Sequence, residues 1–110
     1  FHYMVAAAGG ADIPCVPYAT FGSEALSDVV AAGLKDRDAC LMANHGQTSC
    51  GTTMAGAMKV MVEVEALCRT YLLARAVGEP PVLPAAEMKL VLKRFKGYGR
   101  RRVRGAGRAA

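Results

Sequence analysis

The stretch from Thr52 to Val77 sets the scale of anything this chain can build, because it reads as one long helix. A threonine caps its start, and Met54, Met58, Met61, Leu67, Cys68, Tyr71 and Leu72 supply an apolar face. Gly78 and then Pro80-Pro81 stop it. Lys59, Glu63, Glu65, Arg69 and Arg75 interrupt the apolar run. A membrane span needs about 18 consecutive apolar residues, so none is expected here. In a chain of 110 residues, this helix leaves room for one domain and one core. With 53% hydrophobic and 21% charged residues, the chain has enough apolar surface to fold rather than stay disordered.

The remaining segments alternate strand and helix signals. Residues 2–8 are an apolar run that ends at Gly9-Gly10, read as a strand leading to a turn. Residues 13–18 carry Pro14 and Pro17, which suit an edge or irregular extended segment because proline donates nothing to a ladder. Over 23–35, Leu26, Val29, Val30 and Leu34 recur at helical spacing, with Ser23 or Gly22 as cap and Glu24 at the positive end. Asp36-Arg37-Asp38 is a polar connection. Ala39 to Ala43 reads as a buried strand ending at Asn44-His45-Gly46. A last helix over 85–96 places Met88, Val91, Leu92 and Phe95 on one side. Interleaved strands and helices define an α/β class. The strands are too few for a complete sheet and the chain opens on Phe1, so part of a larger domain is expected.

Charge is uneven. Residues 1–92 hold six basic and all nine acidic residues, while residues 93–110 hold eight basic residues and no acid. Residues 100–110 are read as a solvated basic tail; with no aromatic for base stacking, nucleic acid is not an expected partner. Cys15, Cys40, Cys50 and Cys68 show no C-x-x-C spacing, so a zinc ribbon or thioredoxin motif is unsupported. They are expected to be buried free thiols in a reducing compartment, which points to the cytoplasm.

Few residues can carry chemistry. His45 follows a buried strand beside Gly46, and strand ends are where α/β proteins place functional groups. Its imidazole suits zinc, but one histidine cannot complete a site of three or four ligands. An ordinary loop histidine is the alternative. His2 reads as structural. Tyr3, Tyr18, Phe21 and Tyr98 stand near turns or chain ends, where packing is the usual role and a tyrosine can also act as a general acid. No P-loop, G-x-G-x-x-G or G-x-S-x-G is present.

Taken in order, the motifs resemble a known family. They are His2-Tyr3-Met4-Val5-Ala6-Ala7-Ala8-Gly9-Gly10, Ile13-Pro14-Cys15, Pro17-Tyr18-Ala19-Thr20-Phe21-Gly22, Asn44-His45-Gly46, Glu63-Val64-Glu65 and Phe95-Lys96-Gly97-Tyr98-Gly99. Across residues 2–99 they look like the second half of the bacterial L-fuculose-phosphate aldolases of the class II aldolase/adducin family. The resemblance implies a three-layer α/β/α fold around a mixed sheet, with only its C-terminal half present, over residues 1–99. It implies a homotetramer and a zinc enzyme that cleaves L-fuculose 1-phosphate to dihydroxyacetone phosphate and L-lactaldehyde. Zinc would act as a Lewis acid on the dihydroxyacetone phosphate oxygens.

By the same resemblance, His45 matches a zinc-binding histidine. Tyr3 matches a tyrosine that positions and protonates the aldehyde portion across a subunit boundary. Phe21 matches an aromatic of the aldehyde pocket, and Tyr98 a tyrosine that closes over the site. The family's H-x-H pair, catalytic glutamate and phosphate-binding loops precede the matched region. Glu63 and Glu65 do not replace the glutamate, so the chain alone is expected to be inactive and to bind zinc weakly or not at all. Other readings are another class II sugar-phosphate aldolase, a pentulose-phosphate 4-epimerase, or a non-catalytic adducin-like interaction module.

Overall fold

The computed structural model describes residues 1–97. A 3₁₀ helix, Tyr3–Ala8, opens the chain. Strands β1 (Cys15–Val16), β2 (Ala39–Met42) and β3 (Gly46–Ser49) form one sheet in that order. Helices α1 (Glu24–Leu34), α2 (Met54–Val77) and α3 (Ala85–Phe95) surround it. β1 runs parallel to β2 with Cys15 opposite Leu41, and β2 runs antiparallel to β3 with Ala39 opposite Ser49. The proline-flanked segment therefore lies at a sheet edge, with its carbonyls in the ladder at both ends. Pro14 accepts from the Leu41 N–H at 2.8 Å and Val16 from the Ala43 N–H at 3.0 Å.

Alternation along β2 builds the layers. Successive side chains point to opposite faces of a strand. Ala39 and Leu41 pack with Ala8, Val60 and Val64, on the side of α2. Cys40 faces α1: a Cβ on Gly33 of α1 would lie 3.2 Å from Cys40 Cβ and 2.6 Å from Val16 Cγ1. Gly33 thus lets α1 lie close on the sheet, with α2 on the opposite face. Ser23 starts α1, its Oγ accepting from the Leu26 N–H at 3.2 Å. Thr53 starts α2, accepting from the Gly56 N–H at 3.0 Å. The helix over 85–96 is borne out as α3, with Met88 buried.

Three expectations need correction. Residues 2–8 are a 3₁₀ helix, not a strand. His2 Nδ1 accepts from the Met4 N–H, and Gly9, in the left-handed conformation at φ 87°, ends the turn. Short apolar runs do not separate helix from strand by periodicity, and the alanines 6–8 favour the helical state. Secondly, α2 does not bury the face expected of it. Val64 and Leu67 are buried, each worth about 1.5–3 kcal/mol, whereas Met54, Met58 and Leu72 are exposed. The helix is apolar nearly all round, so spacing alone did not select a side. Thirdly, Cys40 is buried and Cys68 partly so, but Cys15 and Cys50 are exposed. Cys15 lies on the edge strand and Cys50 just past the end of β3.

β3 is an element that the hydrophobic pattern does not announce. Its residues are glycine, glutamine, threonine and serine. Two of them hold α2 by hydrogen bonds rather than apolar contact: Ser49 Oγ donates to the Ala57 carbonyl at 2.9 Å, and Gln47 Nε2 to the Met61 carbonyl at 3.2 Å. Among the described residues, no helix is long and apolar enough to cross a membrane.

Candidate active site

Two clefts hold the polar groups of interest. The first lies at the hairpin joining β2 and β3. Asn44 takes a left-handed φ of 56°, and the His45 N–H donates to the Met42 carbonyl at 3.1 Å. Positive φ at the third position of a turn favours asparagine or glycine, which accounts for Asn44 before His45. The His45 side chain is exposed at the tip and makes no hydrogen bond among the described residues. It lines a cleft of about 450 Å³ with Cys15, Asn44, Gln47 and Glu65.

Behind the tip, Gln47 ties the hairpin to α2. Its Nε2 donates to the Met61 carbonyl at 3.2 Å and to Glu65 Oε2 at 3.3 Å. Gln47 Oε1 is buried without a partner among the described residues. The opposite amide orientation would set an oxygen against two acceptors, so the network fixes the one described.

The second cleft, of about 600 Å³, lies between the 3₁₀ helix and α3. Tyr3, Met4, Glu87, Leu90, Arg94 and Phe95 are among its walls. Tyr3 is 51% exposed and its ring stacks on that of His2, centroids 5.0 Å apart at 21°. Phe21 lies in the bend before α1, 80% exposed, and lines neither cleft. Tyr98 lies outside the described residues. Within one chain, then, His45, Tyr3 and Phe21 are held apart on the surface rather than gathered in one pocket. Gln47 and His2 were not singled out for the site from sequence. Their signal was positional: Gln47 is two residues beyond His45 on a strand, and His2 immediately precedes Tyr3.

Among the described residues, no three histidine, cysteine, aspartate or glutamate side chains come close enough to hold a metal ion. The described residues therefore do not fit a zinc centre by themselves, and His45 is a lone exposed imidazole.

A three-layer α/β unit with its polar groups displayed at a strand end and on a terminal helix defines a class of enzyme-like α/β domains. Comparison with known proteins narrows the class. Residues 1–72 match the family described as Class II Aldolase and Adducin N-terminal domain, and the chain belongs to that family. It is 50% identical over 99 residues to a 5-methylthioribulose-1-phosphate/5-deoxyribulose-1-phosphate aldolase of Rhodospirillum rubrum, covering 90% of this chain and 45% of that protein. It is 48% identical over 101 residues to the L-fuculose phosphate aldolase of Escherichia coli K12, covering 91% and 47%. A solved L-fuculose 1-phosphate aldolase superposes with a TM-score of 0.83 at 40% identity, covering 86% of this chain and 44% of its own. The mixed α/β fold matches the C-terminal portion of that structure. The chain spans about half the length of these relatives.

Proposed function

We propose that this chain supplies the C-terminal part, residues 1–99, of a class II sugar-phosphate aldolase that cleaves L-fuculose 1-phosphate to dihydroxyacetone phosphate and L-lactaldehyde. Residues 100–110 stand outside that domain as a basic tail. The observation that carries the reading is the match over nine-tenths of the chain to relatives named as ketose 1-phosphate aldolases.

Of the nominated residues, His45, Tyr3 and Phe21 fall within the described part, and all three are exposed. His45, free at the hairpin tip, would donate one imidazole to a zinc ion whose other ligands lie outside this chain. The Tyr3 hydroxyl holds the oxygen of the aldehyde portion and protonates it in the synthetic direction. Phe21 shapes the apolar end of the aldehyde pocket, and Tyr98 closes over it. Exposure of Tyr3 and Phe21 supports their meeting the His45 cleft of a neighbouring copy in a cytoplasmic tetramer.

A second reading, cleavage of a 5-deoxyribulose or 5-methylthioribulose 1-phosphate, is favoured by the equally high identity to the Rhodospirillum rubrum protein. Both reactions release dihydroxyacetone phosphate, so a coupled assay on the full-length protein separates them. The expected result is a kcat/KM at least about tenfold higher on L-fuculose 1-phosphate, equivalent to about 1.4 kcal/mol of transition-state binding. A reversed ratio establishes the second reading. Release of no dihydroxyacetone phosphate from either substrate refutes both.

A further inference from the structure

We propose that His2 is a positioning residue for Tyr3, holding the tyrosine by a backbone cap and a ring stack at once. The inference rests on the proposed role of Tyr3 in aldol cleavage.

The two devices sit on one side chain. His2 Nδ1 accepts from the Met4 N–H at 3.1 Å, which fixes the first turn of the 3₁₀ helix with Tyr3 inside it. An accepting Nδ1 puts the proton of the neutral imidazole on Nε2. The same ring lies nearly parallel to that of Tyr3, 5.0 Å away. A tyrosine that is half exposed has little else to select its rotamer. His2 is itself backed by a run of rings. The Phe1 centroid is 6.3 Å from that of His2 and 5.0 Å from that of Tyr71 on α2. Tyr3 is thus tied through three rings to the longest helix, and it also lines the cleft beside α3. Catalysis by a proton donor depends on its placement within a fraction of an ångström, which an untethered surface tyrosine does not provide.

The test uses full-length protein with His2→Ala, His2→Asn, Tyr3→Phe and the His2→Ala/Tyr3→Phe double variant, assayed on L-fuculose 1-phosphate. His2→Ala is expected to lower kcat at least about fivefold with KM within about twofold. His2→Asn, which keeps an acceptor for the Met4 N–H but has no ring, is expected to recover part of that loss. In the Tyr3→Phe background, His2→Ala is expected to cost nothing further, because its effect passes through the hydroxyl already removed. An equal loss in both backgrounds, or a change in KM alone, overturns the proposal.

A readout free of activity accompanies it: a nuclear Overhauser contact between the His2 and Tyr3 rings. The contact is expected in wild type and absent in His2→Ala. Cleavage without that contact overturns the positioning role alone. The contact without cleavage of any ketose 1-phosphate overturns the aldolase reading and, with it, the purpose assigned to the stack.

Discussion

Replacing Gln47 by glutamate tests how the hairpin carrying His45 is held to α2. The change keeps the shape of the side chain and removes both donor hydrogens. Gln47 Nε2 lies 3.2 Å from the Met61 carbonyl and 3.3 Å from Glu65 Oε2, and Oε1 is already buried without a partner among the described residues. Two unit charges at that separation repel by about 5 kcal/mol at an effective dielectric of 20 and about 1 kcal/mol at 80. Glu65 is exposed and can turn into water, so the lower figure governs. The lost hydrogen bond to Met61 adds about 1 kcal/mol, and a charged oxygen in a buried position adds about 1–3 kcal/mol.

A deficit of about 3 kcal/mol or more is therefore expected near neutral pH, read by urea denaturation of the full-length protein. The introduced carboxyl has a folded pKa above its unfolded value, so the folded state binds more protons. The deficit develops as pH rises through the carboxylate range and shrinks on acidification toward about pH 4.5. Combining the change with Glu65→Ala is expected to return the repulsive part. A deficit below about 0.5 kcal/mol at both pH values, or one that grows on acidification, refutes the clamp.

Other outcomes follow from the same geometry. Gly33→Ala places a Cβ 2.6 Å from Val16 Cγ1. Overpacking of about 1–3 kcal/mol is expected to outweigh the roughly 1 kcal/mol gained in helix propensity, and chemical denaturation measures the net loss. Burial, and then the neighbouring Cys15 and Cys50, push the Cys40 thiol above the ordinary range; Cys68 is raised by burial and then by Glu65. Alkylation at neutral pH, followed by mass spectrometry, is expected to label the exposed Cys15 and Cys50 and spare Cys40. Since unfolded thiols ionise first, Cys40 and the partly buried Cys68 favour the fold below the ordinary thiol pKa, and that contribution is lost as pH rises through their raised values. Arg37→Ala removes an ion pair with Asp12, with Nε and Nη2 at 2.8 and 2.7 Å from Asp12 Oδ1. Asp12 is 70% exposed and Arg37 26%, so solvent screens the pair from one side and a thermal melt is expected to register no more than about 1 kcal/mol.

What the sequence revealed and what it hid have separable causes. α1 was legible because Leu26, Val29, Val30 and Leu34 mark one side and Ser23 caps it. β2 was legible because it is a short apolar run between polar turns. β3 was not, since Gln47 and Ser49 meet α2 through backbone carbonyls and leave no apolar alternation to read. The opening 3₁₀ helix was mistaken for a strand because its cap is a histidine ring nitrogen, a device that residue spacing does not encode. At the candidate site, His45 stood out by its strand-end position. The separation of His45 from Tyr3 within one chain is not written in residue spacing, because the two stand on different elements, the β2–β3 hairpin and the 3₁₀ helix.

The two kinds of strand pairing imply an order of assembly. β2 and β3 are joined by residues 43–45 alone, whereas β1 reaches β2 only after α1 and the whole connection over 17–38. Closing the short loop has the smaller entropic cost, and hairpins form in about 1–10 μs. The turn that presents His45 is then shaped before the parallel pair locks. Substitutions in Thr48 or Ser49 are expected to slow folding, and substitutions in Val16 mainly to speed unfolding. The imidazole at the tip would be in place while the rest of the sheet is still searching for its partners. A chevron analysis in which Val16 variants, rather than hairpin variants, slow folding would reverse that order.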